Sequence, residues 1–340
     1  MSRAVAIALA LLLGAPAWAR TVRIGVFGLF HPTELSVAPP PGSSLVIEKD
    51  GGSVTMNQAV HVRLAGDRVQ LLAQGVSWRV TRVHFHARDG GLTDLVLSVP
   101  GKIRRRYRGT LEIVSNRSEL VPIVTMDLEL AVASAVAAES PPGAPLEALK
   151  AQAVATRSFL VVHGSGHKLF DFCDTTHCQF LRQPPAPNSL AARAARETRG
   201  MVLTYLGSPF SAMFASSCGG STKTLAELGL PARDYPYFPV DCLYCRRNAD
   251  RWTRKVPGKV EGERGRLELD RQHGWSALPG NHYSVKDTDE GIVIEGAGQG
   301  HGLGLCQMGA VGMAAEGKSF REILDHYYPN TVVRADAALH

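Results

Sequence analysis

Glu139 closes an apolar run that begins at Met126, and Ser-Pro-Pro-Gly follows it. A carboxyl group at the rim of an apolar helix is partly desolvated. That raises its pKa and keeps it protonated near neutrality, the state a general acid needs. A helix C-terminus also disfavours the ionised form. A solvated glutamate at a helix end fits the same residues, so position alone does not assign the role. Further on, His167, Cys173, His177 and Cys178 fall within twelve residues, in "HKLFDFCDTTHCQF". Two thiolates and two imidazoles match a closed, structural zinc site, with no position left for water. A Cys173–Cys178 disulfide is the competing reading.

Two more stretches are rich in bare backbone. "FASSCGGSTKT" brings Ser216 and Ser217 to a strand end beside Gly219 and Gly220, where backbone can approach closely. Its serines lack the spacing of a nucleophile elbow. In "GAGQGHGLGLCQMG" glycines alternate around His301. No βαβ unit surrounds them, which argues against a nucleotide loop. A groove floor serves better: glycines let a polymer approach, and His301 and Gln307 supply hydrogen bonds. His84 and His86 share a strand face, but no third metal ligand stands near them.

These residues need elements to hold them. The first nineteen residues have a positive start at Arg3, an apolar run Ala4 to Leu13, and a small-x-small site at Ala17-Trp18-Ala19. That is a signal peptide, so the mature chain is expected outside the cytoplasm, periplasmic or wall-associated. Residues 20–120 are β-rich, with alternating runs such as "TVRIGVF" punctuated by Gly and Pro clusters. The basic run Lys102 to Arg108 reads as a solvated strand edge. Helices are expected over 126–139, from Pro145 to about His163, over 189–199, and as a closing pair at 306–317 and 319–328. The stretch 231–290 reads as irregular. Among 340 residues the net charge is +6, which suits an anionic polymer. No interleaving of aromatic and basic residues suggests nucleic acid.

Three blocks carry a family resemblance: "DLELAVASAVAAESPPGAPLEALKAQAVATRSF", "FASSCGGSTKT" and "GHGLGLCQMGAVGMAAEGKSFREILDHYYPNT". In this order they resemble the SpoIID/LytB family, the stage II sporulation protein D domain, over about residues 21–332. The chain departs from the family pattern in two places. "MDLELAVASAV" lacks the usual tyrosine, and Ser140 replaces the methionine that usually follows the glutamate. The resemblance implies an α+β fold: a β-rich N-terminal part (20–120), a mixed helix and strand catalytic body (121–332) with an elongated substrate groove, and a tail (333–340). It implies a lytic transglycosylase acting on peptidoglycan glycan strands, denuded ones in particular, with Glu139 as acid and then base. It also implies zinc at His167, Cys173, His177 and Cys178. Arg157, Gln179, Ser216, Ser217, Gly219, Gly220, His301 and Gln307 become candidates for lining the groove. Some relatives look like non-catalytic enhancers of a cell-wall amidase, which is the alternative reading. If the blocks meet, Cys218 and Cys306 are expected to be bridged, and Cys242 and Cys245 to form a second bridge. A second metal site is the other possibility for these four.

Overall fold

The computed structural model describes residues 20–162, 166–256, 260–274, 276–288 and 291–336. The segment read as a signal peptide, residues 1–19, lies outside the described residues, as do residues 337–340 of the expected tail.

Eleven strands come first: β1 (Thr21–Gly25), β2 (Glu34–Ala38), β3 (Leu45–Lys49), β4 (Gly52–Met56), β5 (Val60–Ala65), β6 (Arg68–Ala73), β7 (Val76–Val80), β8 (Arg82–His86), β9 (Thr93–Val99), β10 (Ile103–Asn116) and β11 (Glu119–Asp127). The body follows with α1 (Leu128–Glu139), α2 (Leu146–Val161), β12 (Phe172–Cys173), α3 (Leu190–Glu197), β13 (Met201–Tyr205), β14 (Ser208–Pro209), β15 (Phe214–Ala215) and α4 (Leu243–Asn248). It ends with β16 (Arg251–Val256), α5 (Gly262–His273), β17 (His282–Thr288), β18 (Gly291–Ala297), β19 (Leu305–Cys306), α6 (Gln307–Ala315), α7 (Phe320–Tyr327) and β20 (Val332–Ala335). The fold is therefore α+β with a β-rich N-terminal part, as expected.

The first eleven strands and β12 form one curled sheet in which β10 is the spine. Its first half pairs with β9, and its second half pairs with β8 on one side and β11 on the other. Tyr107, Leu111 and Ile113 point into the core, while Arg104, Arg106 and Arg108 face solvent. The basic run lies in the half of β10 that pairs with β9 alone, so among the described strands its other side is unpaired, in keeping with the solvated edge its charge density suggested. Period-two alternation then solvates every second residue of it. Arg105 points the other way and pairs with Asp174 at 3.3 Å.

α1 starts where the Asp127 side chain accepts the Leu130 N–H at 3.1 Å. It stops at Ser140 because Pro141 and Pro142 disfavour helical backbone before them. Pro145 caps α2 and Ser189 caps α3, so these helices lie where the sequence placed them. α2 carries the architecture. Leu149, Ala153 and Leu160 pack into the core of the large sheet. Ala148, Ala151, Val154 and Ala155 pack into a second core with Tyr235, Tyr237, Leu305, Leu324 and Tyr328. Alanines let the neighbouring elements approach on both sides.

The stretch read as irregular, 231–290, contains α4, β16, α5 and β17. With β18 the strands form a three-stranded sheet in the order β16-β18-β17, over a small core of Val256, Leu278 and Ile294. β16 exposes Arg251, Thr253 and Lys255 at alternate positions and buries only Val256, so its apolar periodicity is weak.

Candidate functional site

Glu139 sits where the two cores meet. Its Oε1 accepts the Phe180 backbone N–H at 2.6 Å. Its backbone carbonyl accepts from Gln307 Nε2 at 3.1 Å, and Gln307 is the first residue of α6. Gln307 also approaches Gln152 Oε1 of α2 at 3.5 Å. A hollow beside the glutamate is lined by Ser140, Pro141, Leu149, Gln152, Gln307 and Val311. Burial pushes the Glu139 carboxyl up to about 6, and the Phe180 N–H offsets part of that rise. No described residue hydrogen-bonds to Oε2, which leaves that oxygen available to a ligand.

Two side chains next in sequence to the groups of the Glu139–Phe180 contact have buried polar atoms without protein partners. Ser140 Oγ follows Glu139 in sequence, and both amide atoms of Gln179 precede Phe180. Gln179 is 5% exposed. Most buried polar side chains in folded proteins are satisfied, so an orphan amide one residue from the donor on a perturbed carboxyl is unusual.

The loop that delivers Gln179 and Phe180 is held by the His-Cys cluster. Cys178 Sγ lies 3.4 Å from His167 Nε2 and 3.2 Å from Cys173 Sγ. His177 Nδ1 is 3.8 Å from Cys173 Sγ and 3.6 Å from Cys178 Sγ. All four donor atoms lie within 4.8 Å of one another. A tetrahedral ion at usual zinc bond lengths sets such donors about 3.3–3.8 Å apart, so the set fits a bound metal. Asp174 anchors the same loop to the sheet through Phe27 N at 3.2 Å and Arg105.

The other expected groove residues are placed differently. Arg157 is completely buried. It makes two bonds to Glu129, at 2.6 and 2.8 Å, and donates to the carbonyls of Ala195 at 3.1 Å and Met201 at 3.0 Å. With its guanidinium spent on α1 and the end of α3, it cannot reach a glycan; it is a structural tie. The glycine track is likewise filled by protein. Gly219 and Gly298, with φ of 77° and 77°, pack backbone to backbone: a Cβ on Gly219 would lie 2.3 Å from Ala297 O, and one on Gly298 2.5 Å from Ser217 O. The bare backbone around His301 therefore serves strand-to-strand packing and is no open floor. His301 Nδ1 accepts the Leu303 N–H at 3.0 Å, and burial lowers its pKa to about 4, so the ring is neutral. Its carbonyl accepts from Asn281 Nδ2 at 3.2 Å, and Asn281 joins Glu263 of α5 at 2.6 Å. Ser216 contributes its carbonyl to Met308 N at 3.1 Å, and Ser217 its hydroxyl to Cys245 Sγ at 3.4 Å. Gly220 lies beside Arg246 and His282.

Of the expected residues, the structure brings together Glu139, Gln179 and Gln307, with the metal-type cluster behind them. Sequence reading missed Gln152 and the Phe180 N–H. A backbone donor carries no residue signature, and Gln152 looked like one polar residue among alanines. No disulfide joins any described cysteines. The two expected bridges, Cys218–Cys306 and Cys242–Cys245, are not formed. Their four sulfurs instead converge at one buried point.

The same part of the chain is similar to known proteins. The family model described as SpoIID, Stage II sporulation protein, matches residues 116–205, which span α1, α2 and the His-Cys cluster. An uncharacterised protein of Brachyspira hyodysenteriae is 28% identical over 65% of this chain and 70% of its own length. Stage II sporulation protein D of Bacillus subtilis is 26% identical over 64% of this chain and 78% of its own length. The amidase enhancer of Bacillus subtilis is 24% identical over 57% of this chain, and the match covers 39% of that protein. The resemblance to the SpoIID/LytB family read from the sequence is borne out by these matches.

Proposed function

We propose that the protein is a lytic transglycosylase. It cleaves the β-1,4 bond between N-acetylmuramate and N-acetylglucosamine in peptidoglycan glycan strands, denuded strands in particular. The observation that carries this reading is the Glu139 carboxyl itself: raised to about 6 by burial, held at one oxygen by the Phe180 N–H, and with its other oxygen bonded to no described residue. Likeness to sporulation protein D and to an amidase enhancer supports a role in the cell wall. The net charge of +6 suits an anionic wall polymer met after export. No helix among the described residues is long and apolar enough to cross a membrane.

The chemistry needs one carboxyl group. Protonated Glu139 donates to the glycosidic oxygen as the bond to the muramyl C1 breaks, and the bonding electrons leave with the N-acetylglucosamine hydroxyl. Positive charge builds on the muramyl ring. Glu139, now ionised and steadied by the Phe180 N–H, takes the proton of the muramyl 6-hydroxyl, whose oxygen closes on C1 as a 1,6-anhydro ring. Ordinary glycoside hydrolysis uses two carboxylates, and neither cause of the Glu139 shift is a second acid. The reactive form is the protonated one. Turnover is therefore expected to be full below a pH of about 6, and to fall roughly tenfold per unit above it. Initial rates of anhydromuramyl release across that range check this, and a flat profile would contradict it.

His167, Cys173, His177 and Cys178 would hold zinc, which with four protein donors supplies a structural cross-link and no water-activating position. Cys178 immediately precedes Gln179 and Phe180, so the cluster sets the donor on Glu139. Chelation is expected to speed hydrogen exchange at the Phe180 amide by at least roughly tenfold, and to slow cleavage with it. Exchange unchanged after the metal is stripped would separate the cluster from the site.

A further inference from the structure

We propose that Cys218, Cys242, Cys245 and Cys306 form a second metal centre, a buried four-thiolate zinc site that bolts the second core together. The four sulfurs lie within 4.8 Å of one another, and all four residues are buried. Cys245 Sγ and Cys306 Sγ are 3.4 Å apart. Two disulfides need two close pairs and give no reason for four mutually close sulfurs. An iron–sulfur cluster interposes several irons between its thiolates and spreads them further apart. One tetrahedral ion accounts for the arrangement.

The spacing and the topology agree. Cys242 and Cys245 form a C-x-x-C knuckle at the start of α4. The other pair comes from segments distant in sequence. Cys306 lies in β19, which pairs in parallel with β15, and Cys218 follows β15 by three residues. The surroundings are those of thiolates. Cys306 Sγ faces the N–H groups of Cys218 and Gly309, both at 3.3 Å, the second from the first turn of α6. Cys242 Sγ lies 3.3 Å from the Tyr327 hydroxyl, and Cys245 Sγ 3.4 Å from the Ser217 hydroxyl. Donors of this kind stabilise metal-bound sulfur. Binding displaces the thiol protons to solvent and is otherwise redox-neutral. The site ties β15, α4 and α6 at one point. Its last ligand, Cys306, is followed directly by Gln307, the residue that holds the Glu139 carbonyl.

The inference does not depend on the proposed reaction. The test uses the full chain, purified without chelator or reductant and loaded with zinc or cobalt. Zinc per chain is counted in the wild type, in Cys245→Ser and in Cys173→Ser. Cys245→Ser is expected to lose one equivalent. Cobalt-loaded Cys173→Ser is expected to keep the intense sulfur-to-cobalt absorption of a four-sulfur site. If Cys245→Ser does not fold, the wild type decides. After denaturation and metal removal without reductant, all four thiols should be alkylated. A wild-type mass lower by four hydrogens with these four cysteines unreactive, or full zinc retention in folded Cys245→Ser, would overturn the proposal. So would four reactive thiols in a chain that takes up no four-sulfur cobalt.

Discussion

Glu139→Gln is expected to fold as the wild type does and to release anhydromuramyl ends roughly 100- to 10,000-fold more slowly from denuded glycan strands. The amide is nearly isosteric and can still accept the Phe180 N–H through its oxygen. The Gln307 contact is to the backbone carbonyl and does not depend on the side chain. What disappears is the transferable proton, together with the carboxylate that must take a second one back. Circular dichroism and thermal melting should match the wild type while end release fails. A variant with wild-type rates would remove Glu139 from the chemistry. One that binds strands with unchanged affinity yet makes no ends fits the assignment.

The second large effect concerns stability. Glu129→Leu leaves the Arg157 guanidinium buried without its counter-ion and is expected to destabilise the protein by about 3–5 kcal/mol. Arg157 is 0% exposed and Glu129 15%, so solvent screens the pair little. The carboxylate also accepts the Gly200 N–H at 3.3 Å, so removing it frees two segments at once. Replacing both partners, Glu129→Leu with Arg157→Met, is expected to recover most of that loss, because no charge is then stranded. Urea unfolding of the single and double variants measures the difference. A single-variant loss below about 1 kcal/mol would mean that water reaches the guanidinium.

Arg157 also shows where sequence reading stops. An arginine in an alanine-rich helix offers the same letters whether it meets a substrate or a carboxylate on another helix. Its partner stands 28 residues earlier in the chain. Local signals were read well at three ends, where the double proline closes α1, Pro145 opens α2 and Ser189 opens α3; the Asp127 cap, one residue inside the expected start of α1 at Met126, was missed. The His-Cys cluster was legible because its ligands fall close together in sequence. The four-cysteine point was legible only as the alternative to two bridges, because only its C-x-x-C half is local and the other half depends on β15 lying beside β19. The glycine track was seen and misjudged. Its alternation signals close approach, but whether a polymer or another strand approaches is settled only by the pairing of Ser217 with Gln299. The sheet of β16 to β18 escaped because its small core leaves little apolar periodicity to read.

The most direct measurement is cleavage of denuded glycan strands in water enriched with oxygen-18, with the new ends read by mass. The expected ends are anhydromuramyl, lighter than a hydrolytic end by one water and carrying no label, because the muramyl 6-hydroxyl and not solvent closes on C1. Labelled, hydrated ends would make the protein a hydrolase. Bound strands with no new ends would leave it a wall-binding module of the amidase-enhancer kind.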